Sequence, residues 1–160
     1  MSKADIKEWN TPVGGVPFGE LIHGYFSDSQ FVLTMPPVDG ASESVGRILK
    51  TAKVIVVTAR PQVILDLTQR WVHERIHPEL EVFRAAEGNK YSSSASILID
   101  DYLGNVEEFA QRGGAAVIFD QPWNQDRSHL LGGRYHARLA VAATWIEAEK
   151  AVSRLSGQIA

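Results

Sequence analysis

The sequence predicts a three-layer α/β/α fold, in which a parallel sheet is covered by helices on both faces and a small helical region precedes it. Three observations carry this reading. Short apolar runs at Val54–Val57, Ser96–Ile99 and Ala115–Phe119 have the length and β-branched content of buried parallel strands. Between them lie stretches whose apolar residues recur three and four apart, the spacing of amphipathic helices. Alternation of the two types implies strand-helix-strand crossovers, which place helices on either side of one sheet.

Taken in order, Phe18 to Phe26 sets Phe18, Leu21, Ile22 and Tyr25 on one helical face, and Phe31 to Leu33 packs after it. Residues 1–40 therefore read as a small helical accessory region, and residues 41–160 as the α/β core of a single domain. Asp39-Gly40 after Pro36-Pro37 is a turn before a helix over Ser42–Thr51, which carries Val45, Ile48 and Leu49. Strand Val54–Val57 leads into a helix over Val63–Arg75 with Val63, Leu67 and Trp71 as its apolar face, and a short strand follows near Glu81–Arg84. After strand Ser96–Ile99, a helix is expected from Asn105 as N-cap through Arg112, with Gly113-Gly114 ending it before strand Ala115–Phe119. Tyr135 to Leu155 carries Leu139, Ala142, Ile146, Val152 and Leu155 among charges, the pattern of a surface helix on the sheet.

The 160 residues suit one domain with a core, and 44% hydrophobic with 22% charged residues is the composition of a folded globular chain. A formal charge of −3 without a basic cluster argues against duplex nucleic acid as partner, although a nucleotide needs only a few local cations. The absence of cysteine removes disulfides, thiolate catalysis and cysteine-ligated zinc. No run reaches the roughly 18 apolar residues of a membrane span, and the start Met1-Ser-Lys-Ala-Asp5 is no signal peptide, so a cytoplasmic location is expected. Of the five histidines, His73 and His77 are spaced like metal ligands, but they lie at a helix end before Pro78, where C-capping is the commoner role. Trp123 reads as a loop anchor or as part of a nucleotide pocket.

The chemistry concentrates at two strand ends. The strand ending in Thr58-Ala-Arg60 runs into a helix N-terminus, whose free backbone N–H groups favour a phosphate. Thr58 would hydrogen-bond a phosphoryl oxygen beside the N–H groups of Ala59 and Arg60; the other reading of Thr58 is a cap on the next helix. Arg60 would clamp phosphate or a neighbouring carboxylate, or form a surface ion pair. The strand ending in Asp100-Asp101 supplies hard oxygen ligands suited to magnesium. Adjacent carboxylates repel unless a cation is near, although an exposed turn would also tolerate them.

Thr58, Lys90 and Asp100-Asp101, in this order and spacing, resemble three of the four motifs of the haloacid dehalogenase superfamily of phosphotransferases, most closely its 5'-nucleotidase branch with the cytosolic and mitochondrial deoxyribonucleotidases. Arg60-Pro61 and Phe119-Asp-Gln-Pro-Trp-Asn124 are similar to that branch as well, so the resemblance covers roughly residues 5 to 145. It implies a Rossmann-like core with residues 1–40 as a partial helical cap, and magnesium-dependent hydrolysis of a small phosphorylated substrate, a nucleoside monophosphate, through an aspartyl-phosphate. It also implies a role for each site residue. Thr58, with Ala59 and Arg60, would hold the phosphate. Lys90, otherwise a solvated loop lysine, would neutralise charge developing on the phosphoryl group, Asp100 would bind magnesium directly or through water, and Asp101 would orient Lys90 or a metal-bound water.

The departure from the family is the first motif. Asp-x-Asp, which in the family ends an N-terminal apolar strand and carries nucleophile and acid/base, occurs nowhere in the chain, and Asp5, Asp28 and Asp39 lie in helix-like or turn surroundings. The family's first strand sits between the strands ending at Thr58 and Asp100, and unpaired buried backbone groups cost about 1–3 kcal/mol each. Three expectations follow: the two strands close up, a second molecule donates a strand in a homodimer, or the sequence is a truncated form. Truncation is favoured, because Asp5-Ile-Lys-Glu-Trp9 resembles a segment that follows the first motif. A catalytically inactive binding or interaction protein is the competing class.

Overall fold

The computed structural model describes Glu8 and residues 10–26, 28–85 and 95–159. They form two compact units, one from Pro12 to Ala85 and one from residue 95 onward together with Glu8, Asn10 and Thr11.

The first unit opens with a two-residue hairpin, β1 (Pro12–Val13) against β2 (Val16–Pro17), closed by Gly14 and Gly15 at φ +60° and +84°. Two successive positive φ values are the geometry of a primed turn, which glycine adopts without a Cβ penalty. Helix α1 (Phe18–Phe26) spans the expected residues, and α2 (Ser29–Thr34) is capped by Asp28, whose Oδ1 accepts the N–H groups of Gln30 (2.8 Å) and Phe31 (3.2 Å). Gly40, at φ +77°, precedes α3 (Ala41–Ile48), which buries Ala41, Val45 and Ile48. Strand β3 (Ile55–Thr58) pairs in parallel with β4 (Glu81–Arg84), Thr58 lying opposite Arg84. The crossover between them is a 3-10 turn (Gln62–Ile64) running into α4 (Leu65–Arg75).

The apolar face expected for this crossover is wrong by one position. Ile64, Thr68 and Val72 are buried, whereas Val63 is 86% exposed. The 3-10 turn advances the chain by about 120° per residue instead of 100°, which moves Val63 off the face that the α-helical count gives it. Thr68 is admitted to the buried face because its hydroxyl donates to the Ile64 carbonyl at 2.9 Å. Trp71 stays half-buried, its Nε1 donating to the Met35 carbonyl at 2.8 Å.

The second unit is a parallel sheet in the order β5 (Ile97–Asp100), β6 (Ala115–Phe119), β7 (Leu139–Ala142). Helix α5 (Leu103–Gln111) follows β5, a short α6 (Ser128–Leu131) lies between β6 and β7, and α7 (Trp145–Ile159) ends the unit. Alternate residues of β6 serve opposite faces. Ala115 and Val117 pack with Ala148, Ala151 and Leu155 of α7, while Ala116 and Ile118 pack with Val106 and Ala110 of α5 and with Leu130. This is the helix-sheet-helix layering read from the sequence.

Two boundaries differ from expectation. Leu139 to Ala142 is a strand and not the start of the last helix, because these residues complete a ladder with β6, and Ile146 of the helix that follows is 54% exposed. Four consecutive apolar residues fit either element until a neighbouring strand selects one. Helix α5 begins at Leu103 with Tyr102 as N-cap, so Asn105 lies inside its first turn. The predicted stop is borne out: Gly113 follows the helix at φ +95°.

Candidate functional site

In the first unit, Thr58 is the last residue of β3. Its Oγ1 accepts the N–H of Arg60 at 3.2 Å, a turn that holds the Thr58-Ala59-Arg60 segment at the strand's C-terminal end. Ala59 is exposed. The Arg60 guanidinium lies 4.3 Å from the centre of the Phe26 ring and donates from Nη1 to the Thr68 hydroxyl at 3.3 Å. Thr68 thus relays between the guanidinium and the Ile64 carbonyl. Arg84, opposite Thr58 on β4, donates from Nε to the Arg60 carbonyl at 3.3 Å, which adds a second cation to this strand end.

Burial lowers the pKa of Arg60 from its ordinary value. Among the described residues of its unit, Arg60 forms no ion pair with a carboxylate. A desolvated cation held by a ring face and a hydroxyl is a ready acceptor of an anion, because an added phosphate would supply both the charge and the acceptor atoms that the site lacks.

In the second unit, Asp100 ends β5 and is 8% exposed. Its Oδ1 accepts the N–H of Tyr102 at 2.8 Å, and its Oδ2 accepts the side-chain amide of Asn105 at 2.9 Å. Asn105, read from sequence as a helix cap, instead fixes the carboxylate one turn before it. Asp101 is half-buried, and its carbonyl accepts the side-chain amide of Asn124 at 2.9 Å.

Lys90 lies outside the described residues. Thr58, Ala59 and Arg60 come together in the first unit, and Asp100 with Asp101 in the second. The sequence reading missed Asn105, Asn124, Arg127 and Asp120 as supports of the acidic strand end. The signal available for the last three was their position in the loop after a parallel strand, where ligand sites of such sheets lie. Arg127 donates from Nη1 to Asp120 Oδ1, and Gln125 donates to the same oxygen at 3.1 Å. The hydrogen bond from Arg127 is the main reason the Asp120 carboxyl is held below the ordinary aspartate range.

Neither histidine of the pair at the end of α4 points to a metal. His73 Nε2 lies 2.9 Å from the Leu80 carbonyl, and His77 Nδ1 accepts the N–H of Glu79 at 3.3 Å, contacts that brace the loop after α4, a role other than the helix C-capping read from the sequence. Among the described residues no group of three or more His, Cys, Asp or Glu could hold a metal ion. Magnesium commonly takes only one or two protein carboxylates and completes its shell with water and phosphate oxygens. Asp100 and Asp101 supply carboxylate oxygens, the hard donor type that this chemistry uses. No described helix is long and apolar enough to cross a membrane.

The family model described as "5' nucleotidase, deoxy (Pyrimidine), cytosolic type C protein" matches residues 1–155. The chain belongs to this family, which places it in the 5'-nucleotidase branch of the haloacid dehalogenase-like fold and bears out the resemblance carried by its motifs. No curated protein matches the chain.

Proposed function

From membership in a nucleotidase family, we propose that this chain carries the phosphate-binding and magnesium-binding parts of a phosphohydrolase acting on nucleoside 5'-monophosphates, with pyrimidine deoxynucleotides, named in the family's description, as the preferred class. The observation that carries this reading is the Thr58–Arg60 turn, where a desolvated guanidinium without a carboxylate partner among the described residues of its unit stands at the C-terminal end of a parallel strand.

Thr58 and the N–H groups of Ala59 and Arg60 receive the phosphate in this reading, while Lys90 offsets charge that develops during transfer. Asp100 would hold magnesium and Asp101 would orient Lys90 or a water. When bound, the ion would neutralise charge on the phosphate. Residues 1–40 act as a partial cap over a core formed by residues 41–160, and the protein works in the cytoplasm. Among the described residues, strands β3 and β5 each have one ladder partner within their own unit, and such edges of Val and Ile favour association, so a homodimer is included in the proposal.

The sequence contains no Asp-x-Asp, the nucleophile and acid/base pair of the resembled superfamily. This favours a second reading, in which the chain binds nucleotides without hydrolysing them. Losing a covalent nucleophile and its acid/base partner removes many powers of ten in rate, so the purified chain is expected to show negligible magnesium-dependent release of phosphate from thymidine monophosphate. Appending an apolar strand that ends in Asp-x-Asp ahead of Met1 is expected to confer hydrolysis under the first reading and to leave the chain inert under the second.

Calorimetry with magnesium present tests the shared premise. Thymidine monophosphate should bind at least about tenfold more tightly than thymidine, given charge-assisted hydrogen bonds to the phosphate. Equal binding of the two would overturn the phosphate site.

A further inference from the structure

We infer that Asn124 is a positioning residue for the acidic loop: through Asn124, the loop after β6 sets the backbone of Asp101 and with it the Asp100 carboxylate. The functional meaning of this brace rests on the proposed metal-binding role of Asp100.

Asn124 is 1% exposed and uses its entire hydrogen-bonding capacity. Its Nδ2 donates to the carbonyls of Asp101 and Phe119, both at 2.9 Å. Its Oδ1 accepts the N–H of Gln121 at 3.0 Å and Nη1 of Arg127 at 3.1 Å. With both amide hydrogens and the carbonyl oxygen engaged, the side chain has one orientation that leaves no buried polar atom unmet.

Three of these partners lie within five residues of Asn124, as an ordinary loop cap would require. Asp101 lies 23 residues earlier, at the end of another strand. A cap for the Pro122–Asn124 turn has no need of that bond, whereas a device joining the ends of β5 and β6 does. The anchor is itself held from outside: Arg127, with 18% of its side chain exposed, is drawn to Asp120 while it donates to Asn124. Asp120, Arg127 and Asn124 thus form a chain of hydrogen bonds that ends on the Asp101 carbonyl.

The consequence is local. Rotation of the Asp101 peptide would carry the Tyr102 N–H away from Asp100 Oδ1, the bond that fixes one oxygen of the carboxylate at 2.8 Å. Asn105 holds the other oxygen. Through the Asp101–Tyr102 peptide, Asn124 thus contributes to keeping the Asp100 carboxylate in one orientation.

Amide hydrogen exchange on the full chain tests this. In Asn124→Ala, exchange of the Tyr102 amide is expected to accelerate about tenfold, the loss of roughly one buried hydrogen bond's stabilisation, while Val117 and Ile118 in the β6 ladder keep their protection. Arg127→Gln, which leaves Asn124 in place, is expected to move Tyr102 in the same direction by a smaller factor; it serves as the test if Asn124→Ala does not fold. Unchanged Tyr102 exchange, or equal acceleration at every amide of the unit, would overturn the inference.

Manganese titration followed by water-proton relaxation adds a readout that general loosening would not move. Manganese binding that is lost in Asp100→Asn and weakened about tenfold in a folded Asn124→Ala supports the positioning role, whereas Asp100-dependent binding that Asn124→Ala leaves unchanged overturns it. No binding by the wild-type chain would end the metal reading of Asp100 made above, and the Tyr102 exchange alone would then decide whether the brace exists.

Discussion

The strand end at Thr58 and the strand end at Asp100 solve opposite electrostatic problems in opposite ways. At Thr58 a cation is desolvated and supported by a ring face and a hydroxyl, with no carboxylate paired to it among the described residues of its unit. At Asp100 an anion is desolvated and each of its oxygens already accepts a hydrogen bond from its own unit. The difference shows two ways of supporting a charge taken out of water: the guanidinium, which keeps its charge at any working pH, rests on a ring face and a hydroxyl, and the carboxylate on hydrogen bonds from the segment that follows it.

The sheets that carry these ends differ in the same sense. Ile118 on β6 has a strand on either side, a helix above, and no exposure, whereas the residues of β3 are all half-buried and, among the described residues, pair with β4 alone. The largest effect we predict uses this contrast. Ile118→Ala should cost about 2–5 kcal/mol of unfolding free energy, the range for deleting a buried aliphatic side chain, and Ile55→Ala on β3 about half as much because part of its surface is already hydrated. Urea denaturation of the two variants checks it; equal losses would show that β3 is as well packed as β6.

Next in size is ligand affinity at the cationic end. Arg60→Ala should weaken binding of thymidine monophosphate by about 1.5–3 kcal/mol, the contribution of a hydrogen bond to a charged group, and leave thymidine binding alone. Folding stability should change little, since the lost contact with Phe26 and the relieved desolvation of the cation oppose each other. Calorimetry with both ligands, beside a thermal melt, separates the effects. A variant that loses both ligands equally, or that unfolds, would show that Arg60 supports the fold and not the phosphate.

Much of this architecture was legible in the sequence, and the failures have identifiable causes. Strands β3 to β6 were readable because β-branched runs bounded by turn residues admit few other conformations, and Gly40 and Gly113 marked a helix start and a helix stop through the positive φ they adopt. Strand β7 was missed because Leu139-Ala-Val-Ala142 becomes a strand through its ladder to β6, a partner that no local pattern displays. The exposed Val63 was missed because a 3-10 turn at the head of α4 shifts the helical count. At the site, Thr58, Arg60 and Asp100 stood out as polar residues ending apolar runs. Their supports did not, since Asn105, Asn124 and Arg127 have the composition of any loop or helix start, and only the fold shows that their hydrogen bonds end on the acidic segment.

The acidic end also carries a pH signature. Arg127 holds the Asp120 carboxyl below the ordinary aspartate range, chiefly by hydrogen bonding, so this group binds its proton less readily in the folded chain than in the unfolded one. Its contribution to stability is therefore fully present above the unfolded aspartate value of about 4 and is lost as pH falls through the lower folded value. A carbon-13 titration of the Asp120 carboxyl should give a midpoint below that of an unfolded aspartate, and Arg127→Gln should move the midpoint up. No movement would mean that Arg127 does not hold Asp120 in solution.

The smallest effect belongs to the edge of the cationic unit. Lys53 and Glu81 approach to 3.0 Å beside the β3–β4 ladder, but their side chains are 74% and 54% exposed. Water and salt screen an exposed pair, and ordering two long side chains costs entropy, so pairs of this kind contribute about 0–1 kcal/mol. Glu81→Gln keeps the shape of the side chain and removes its charge. It should lower the unfolding free energy by no more than about 0.5 kcal/mol, and the difference should vanish near 1 M sodium chloride, where the screening length falls to about 3 Å. Denaturation of the wild type and the variant at low and high salt measures both quantities. A loss above about 1 kcal/mol that persists in high salt would show that this pair anchors the β3–β4 ladder, and that the cationic unit draws more of its stability from its polar edge than the half-buried residues of β3 suggest.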